Sequence, residues 1–133
     1  MPKKYFTVES AQKQLPKIKK SLLKLQRIKK SLDAISSVRI DLNEFDFEEA
    51  METGTKLQKD YHKLSYEFYK ELEKLESKGA VIKDLEIGLV DFYCKFEGRD
   101  VFLCWNLGES KISAWHELDA GFNGRNPIFD LQK

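Results

Sequence analysis

The sequence predicts an α+β fold in a single domain over residues 1–133. A long antiparallel helical hairpin is expected over about 7–78, a small three- to four-stranded antiparallel β-meander over about 81–117, and an ordered C-terminal loop over 118–133. Three observations carry this reading. Apolar residues recur at steps of three and four up to Leu75, the period drops to two after Gly79, and Glu97-Gly98-Arg99-Asp100 interrupts the alternating region with a hairpin signal.

Tyr5-Phe6-Thr7 opens the first helix. Thr7 is the N-cap candidate and Glu9 sits in the first turn, while Ser10 stands where a full capping box would place Glu or Gln. Pro16 predicts a kink or the N1 start of a second helical segment. Beyond it Ile18, Leu22, Leu25, Ile28, Leu32 and Ile35 form one apolar stripe. The period is lost over 36–44, which reads as the connection. A second helix follows over about 47–78, with Phe47, Ala50, Gly54, Leu57, Tyr61, Leu64, Phe68, Leu72 and Leu75 in coiled-coil-like spacing. Gly54 costs about 1 kcal/mol of helix propensity there, which close approach of the first helix would explain. Lys78-Gly79 supplies the stop, and the two helices pair as an antiparallel hairpin.

In the alternating region, pairing Phe96 with Val101 puts Val90, Phe92, Cys94 and Phe96 on one face with Val101, Leu103, Trp105 and Leu107. Gly98 would lead a type II′ turn. Cys94 and Cys104 then lie on opposite faces, which argues against a disulfide and for two reduced, semi-buried thiols. A third strand from Ile112 to about His116 is expected to turn Ile112, Ala114 and His116 to the core and Ser113, Trp115 and Glu117 outward. Val81 to Lys83 can add a short edge strand. Tyr93, Phe102 and Trp115 fall on the nominally polar face, too much apolar area for open solvent, so a helix or a second subunit should cover it. A homodimer is the expected state.

Composition narrows the function classes. Hydrophobic residues make up 41% and charged residues 34% of the chain, which excludes a disordered composition. No apolar run approaches the roughly 20 residues that span a bilayer, so no membrane role is expected. The highly charged N-terminal region lacks an apolar signal segment, so a cytoplasmic location is the expectation. The net charge of +1 hides an asymmetry: residues 1–40 carry eleven Lys/Arg against Glu9 and Asp33, a balance of +9, and the remainder is acidic.

Two candidate surfaces follow. Lys13, Lys17, Lys20, Lys24, Arg27 and Lys30 step by three and four along one side of the first helix. Such a row suits the phosphates of a nucleic acid or an acidic protein partner; solvation, with pairing to Glu67 and Glu71 of the second helix, is the simpler alternative. The second is Ser113–Pro127, S-A-W-H-E-L-D-A-G-F-N-G-R-N-P, in which His116, Glu117, Asp119 and Arg125 could furnish a base, carboxylates and an anion clamp. In the structural reading of this stretch, His116 lies beside Leu103 or Val101, held by an acid, and Arg125 reaches back to Asp119 or Glu117 as Gly121 and Gly124 let the chain double over. No H-E-x-x-H, CxxC pair, Ser-His-Asp context, phosphate loop or nucleotide fingerprint is present. Catalytic residues, metal ligands and cofactors are therefore not assigned.

F-T-V-E-S-A-Q-K-Q-L-P at 6–16, G-L-V-D-F at 88–92, V-F-L-C-W-N-L-G-E at 101–109 and W-H-E-L-D-A-G-F-N-G-R-N-P-I at 115–128 resemble the prokaryotic family called domain of unknown function 2203. The resemblance covers nearly the whole chain and is most specific in its C-terminal half. It implies a small cytoplasmic protein with no assigned activity, and it draws attention to Trp105, Glu109, Trp115, His116, Asp119, Gly121, Phe122 and Arg125. The expected function is a non-enzymatic binding or adaptor module that meets nucleic acid or a nucleoprotein complex through the basic first helix. The alternative is a small-ligand protein or enzyme that uses the loop of Trp115 to Arg125.

Overall fold

A computed structural model describes residues 3–38 and 47–131. Most of the expected connection at 36–44 lies outside the described residues. Helix α1 (Val8–Ser36) starts at Thr7, whose hydroxyl accepts the Ser10 N–H at 3.0 Å while the Ser10 hydroxyl accepts the Thr7 N–H at 2.9 Å. The capping box is complete with serine at its third position. What the box requires there is an acceptor within reach, and the Ser10 hydroxyl meets that need while donating to the Thr7 carbonyl. Pro16 does not start a new segment, because α1 runs through it. The proline is exposed, and Leu15 and Ile18 beside it are buried against the sheet. That packing keeps the helix in phase across one missing N–H.

Helix α2 (Phe47–Ser77) runs back along α1: Lys24 meets Glu71 near one end, and Ile35 and Val38 share a cleft with Leu57 and Tyr61 near the other. Its seam is shallower than the spacing suggests. Ala50 and Leu75 are buried, but Leu57, Tyr61, Leu64, Phe68 and Leu72 are only half-buried. The helix ends in a Schellman pattern, with the Gly79 N–H on the Glu76 carbonyl and the Ala80 N–H on the Leu75 carbonyl.

The sheet has five strands, β1 (Val81–Asp84), β2 (Leu89–Phe96), β3 (Arg99–Asn106), β4 (Ala114–Glu117) and β5 (Asn126–Pro127), in the order β1-β2-β3-β4-β5. The expected edge strand at 81 is present. The extra one, β5, lies within the expected C-terminal loop. Pro127 is tolerated because an edge strand can spare its N–H, and the Ile128 N–H bonds the Ser113 carbonyl just beyond it.

Two register expectations are corrected. Phe96 pairs with Arg99 and Cys94 with Val101, a shift of two from the expected pairing of Phe96 with Val101. Glu97 and Gly98 both have positive φ, 50° and 77°, the signature of a type I′ turn rather than the expected II′. That tight turn follows the sheet's twist and brings Arg99 and Asp100 into the β3 side of the ladder. A shift of two preserves the faces, so Val90, Phe92, Cys94, Val101, Leu103 and Trp105 still pack together on Ala11, Leu15, Ile18, Leu22, Leu25 and Leu75.

Strand β4 does change face. Leu103 pairs with Trp115 and Phe102 with His116, so Trp115 enters the core and His116 turns to the other side. Strand alternation does not carry through the irregular segment before it. There Ile112 is buried as expected, its N–H held by the Gln12 side chain at 2.9 Å, but Ala114 follows Cys104 to the far face. Phe102 is buried beside the rings of Tyr93 and His116, with the Lys83 ammonium 4.5 Å from its centroid, and the N-terminal segment docks alongside through Phe6 N–H to the Tyr93 carbonyl.

Candidate functional sites

All six cations of the predicted stripe are exposed on α1. Four of them, Lys17, Lys20, Lys24 and Arg27, line a groove of about 530 Å³ against α2, whose Lys74, with Lys78 just past the helix end, forms the far wall. Lys13 and Lys30 continue the stripe beyond the groove. Spacing along the sequence does not reveal Lys74 and Lys78 as part of this surface, because the antiparallel pairing that brings them into the groove with Lys17 and Lys20 is a tertiary fact. Lys17 and Arg27 are separated by about 15 Å along the helix at 1.5 Å per residue.

One acid interrupts this basic surface. Glu71 is buried at its floor, where Ser21 hydrogen-bonds it and Lys24 stands 3.5 Å away. The Ser21 hydrogen bond, with support from Lys24 and Lys74, holds its carboxyl below the usual range against the opposing effect of burial. The expected pairing of the stripe with Glu71 therefore forms, but only through Lys24. Glu67 makes no ion pair among the described residues, and Lys17, Lys20 and Arg27 have none there either. Five of the six groove cations are left to face solvent.

The loop of Trp115 to Arg125 is assembled differently from either expectation. Arg125 does not reach Asp119 or Glu117. Its Nη2 donates to both carboxylate oxygens of Glu109, at 3.0 and 3.1 Å, and to the Cys104 carbonyl at 3.3 Å, with the guanidinium 4.9 Å from the Phe122 ring centroid. Pairing of Asn126 with Trp115 and of Pro127 with Ala114 holds the chain just after Arg125 against β4, and from there the side chain extends to Glu109 and the Cys104 carbonyl. Glu109 also accepts the Asn106 N–H at 2.7 Å and the Ser113 hydroxyl at 3.3 Å, and the Trp105 indole N–H donates to its carbonyl at 2.9 Å. Glu117 is taken by Arg99 in a forked pair, which holds its carboxyl below the usual range. Asp119 is exposed in the turn after β4. Gly124 admits a close approach, since a Cβ there would stand 2.6 Å from the Ala120 methyl.

His116 lies beside Phe102, not Leu103 or Val101, and is held by an acid as expected, which proves to be Asp91 of the G-L-V-D-F segment. Its Nε2 is 3.0 Å from Asp91 Oδ2, and its Nδ1 is 2.7 Å from the Glu117 carbonyl. Asp91, Cys104 and His116 are 1%, 0% and 2% exposed, and their potential ligand atoms all lie within 4.8 Å of one another. These are the described residues that could hold a metal ion. Burial raises the Asp91 carboxyl, and the nearby His116 opposes that rise. Burial, joined by the Asp91 charge, pushes the Cys104 thiol up to about 12, so the bare thiol is no nucleophile near neutrality. The three side chains are sealed from solvent, whereas Asp119 and Phe122 of the same loop are exposed.

A family model described as an uncharacterized conserved protein, DUF2203, matches residues 4–128. No curated protein and no solved structure matches the chain.

Proposed function

Since the chain belongs to the DUF2203 family, whose description states no activity, we propose a function from its own surfaces: a non-enzymatic module that binds the phosphate backbone of nucleic acid in the groove between α1 and α2. The observation that carries this reading is the convergence of Lys17, Lys20, Lys24, Arg27, Lys74 and Lys78 on one concave surface with a single acid at its floor. Solvation alone explains a stripe on one helix. It does not explain why the opposed helix, from an acidic part of the chain, presents lysines to the same groove. The 15 Å between Lys17 and Arg27 matches about four phosphates of one strand at 3.4 Å each. No aromatic side chain lines the groove, so binding is through phosphates and without base stacking.

Generic duplex DNA and RNA, titrated across a salt series, test the proposal. Four neutralised phosphates give a log K against log salt slope of about −3 to −4 on a duplex. Lys17, Lys24 and Arg27 together changed to Glu should abolish binding. No binding at about 50 mM salt defeats the reading, and preference for polyglutamate over nucleic acid would transfer the groove to an acidic protein partner.

A homodimer is supported by α2. Its seam is half-buried, and Phe47, Met51 and Tyr69 lie exposed along one flank of it. Among the described residues no helix is long and apolar enough to cross a membrane. Two free cysteines support a cytoplasmic setting.

A further inference from the structure

The geometry points to Asp91, Cys104 and His116 as the ligands of one divalent transition-metal ion of the zinc class, bound on the face of the sheet opposite α1. Asp91 comes from β2, Cys104 from β3 and His116 from β4, so three adjacent strands each contribute one donor atom. The tautomer of His116 is the first argument. The Glu117 carbonyl can only accept a hydrogen bond, so Nδ1, 2.7 Å away, must carry the proton. In the neutral ring this leaves the Nε2 lone pair facing Asp91 Oδ2 at 3.0 Å. Two electron-rich atoms at that separation require an electrophile between them, a shared proton or a metal. A histidine whose second nitrogen is fixed by a backbone carbonyl is the usual outer support of a metal ligand.

The second argument is independent of the first. Asp91 is 1% exposed, and its Oδ1 has no nitrogen or oxygen donor within hydrogen-bond reach, the neighbouring Cys104 thiol being only a weak S–H donor to the carboxylate, although buried polar atoms are almost always well satisfied. A shared proton on the Oδ2 side leaves that oxygen with no better donor than the Cys104 thiol. A metal engaged by the carboxylate accounts for both oxygens, either by bidentate ligation or with a water as the remaining ligand. The third argument is the donor set. One carboxylate, one imidazole and one thiol suit zinc at about 2.0–2.3 Å per bond. At those lengths tetrahedral donors stand about 3.3–3.6 Å apart, so a group already gathered within 4.8 Å needs only small side-chain adjustments. A metal would also displace the thiol proton that burial otherwise retains.

The test uses the full chain, stripped with chelator under reducing conditions and titrated with Zn²⁺ and with Co²⁺ as a spectroscopic probe. Expected are one Zn²⁺ per chain retained through gel filtration, a rise in Tm, and a near-ultraviolet thiolate-to-cobalt band. Cys94→Ser should keep that band and Cys104→Ser should lose it. Cys104→Ser should weaken Zn²⁺ binding by more than the roughly 10–100-fold that loss of an outer support costs. Absence of both retained Zn²⁺ and the cobalt band in the folded wild-type chain, with its thiols shown to be reduced, overturns the assignment without reliance on any variant. A band that survives Cys104→Ser but not Cys94→Ser overturns it as well. Neither result bears on nucleic-acid binding, which is read separately on the helical hairpin.

Discussion

The helical hairpin and the sheet use charge in opposite ways. On the hairpin, most charged side chains stand in water along α1 and α2, with Glu71 buried and Glu67 half-buried. On the far face of the sheet, Asp91 and His116 are enclosed, and Arg125 and Glu109 are partly so, each fixed by partners from distant parts of the chain. The first arrangement is open to a ligand and costs the fold little. The second is coupled to folding, because loss of one partner strands the other in a poorly solvated setting. A region where charge can be altered freely is a place to seek recognition, and a region where it cannot is a place to seek structure or a tightly held ion.

The sharpest way to break this comparison is at His116. His116→Ala leaves the Asp91 carboxylate buried without its imidazole, and should cost about 3–5 kcal/mol in urea unfolding performed with chelator present. A loss below about 1 kcal/mol would show that the far face is wetter than its burial implies. Next in size is Arg125→Ala, which removes a two-oxygen contact to Glu109 and a bond to the Cys104 carbonyl. With the two side chains 21% and 28% exposed, about 2 kcal/mol is expected, read from the same unfolding curves.

Glu71 joins the two regimes. Because its folded carboxyl is held below the ordinary value of 4.5, its contribution is present above that pH and is lost as pH falls through the folded value. Glu71→Gln should therefore cost on the order of 1 kcal/mol near neutrality and leave stability less sensitive to acid. The same substitution removes the one acid lining the groove, so nucleic-acid affinity should rise while stability falls. A fall in both would show that Glu71 shapes the groove rather than opposing its charge. The smallest stability effect belongs to Lys17→Gln with Arg27→Gln, within about 0.5 kcal/mol by thermal unfolding, alongside a clear loss of binding.

The hairpin was more legible than the sheet for a physical reason. The apolar period of α1, its Thr7 cap and the Gly79 stop are local, and the structure keeps each of them. The faces of β2 and β3 survived a register error because that error was two residues, which returns every side chain to its own side. Strand β4 was lost because counting in twos fails across the irregular residues before Ala114, and that one step exchanged Trp115 and His116. Among candidate residues, the exposure of the α1 stripe was readable from spacing, whereas Lys74 and Lys78 required knowledge of how α2 lies on α1. Asp91, Cys104 and His116 meet across three strands and share no local spacing. Only a correct register would have placed an acid of the G-L-V-D-F segment beside the histidine of W-H-E-L-D.

The most direct measurement compares nucleic-acid affinity for two doubly charge-reversed chains, Lys74→Glu with Lys78→Glu and Lys13→Glu with Lys30→Glu, at equal salt. Both pairs change net charge equally, but the first lies on the groove wall and the second lies on the α1 stripe outside it. Binding within the groove requires the α2 pair to lose at least about tenfold more affinity, a difference near 1.4 kcal/mol, with a correspondingly shallower salt slope. Equal losses from the two pairs would mean that net charge alone governs the interaction, and would contradict a binding groove between the helices.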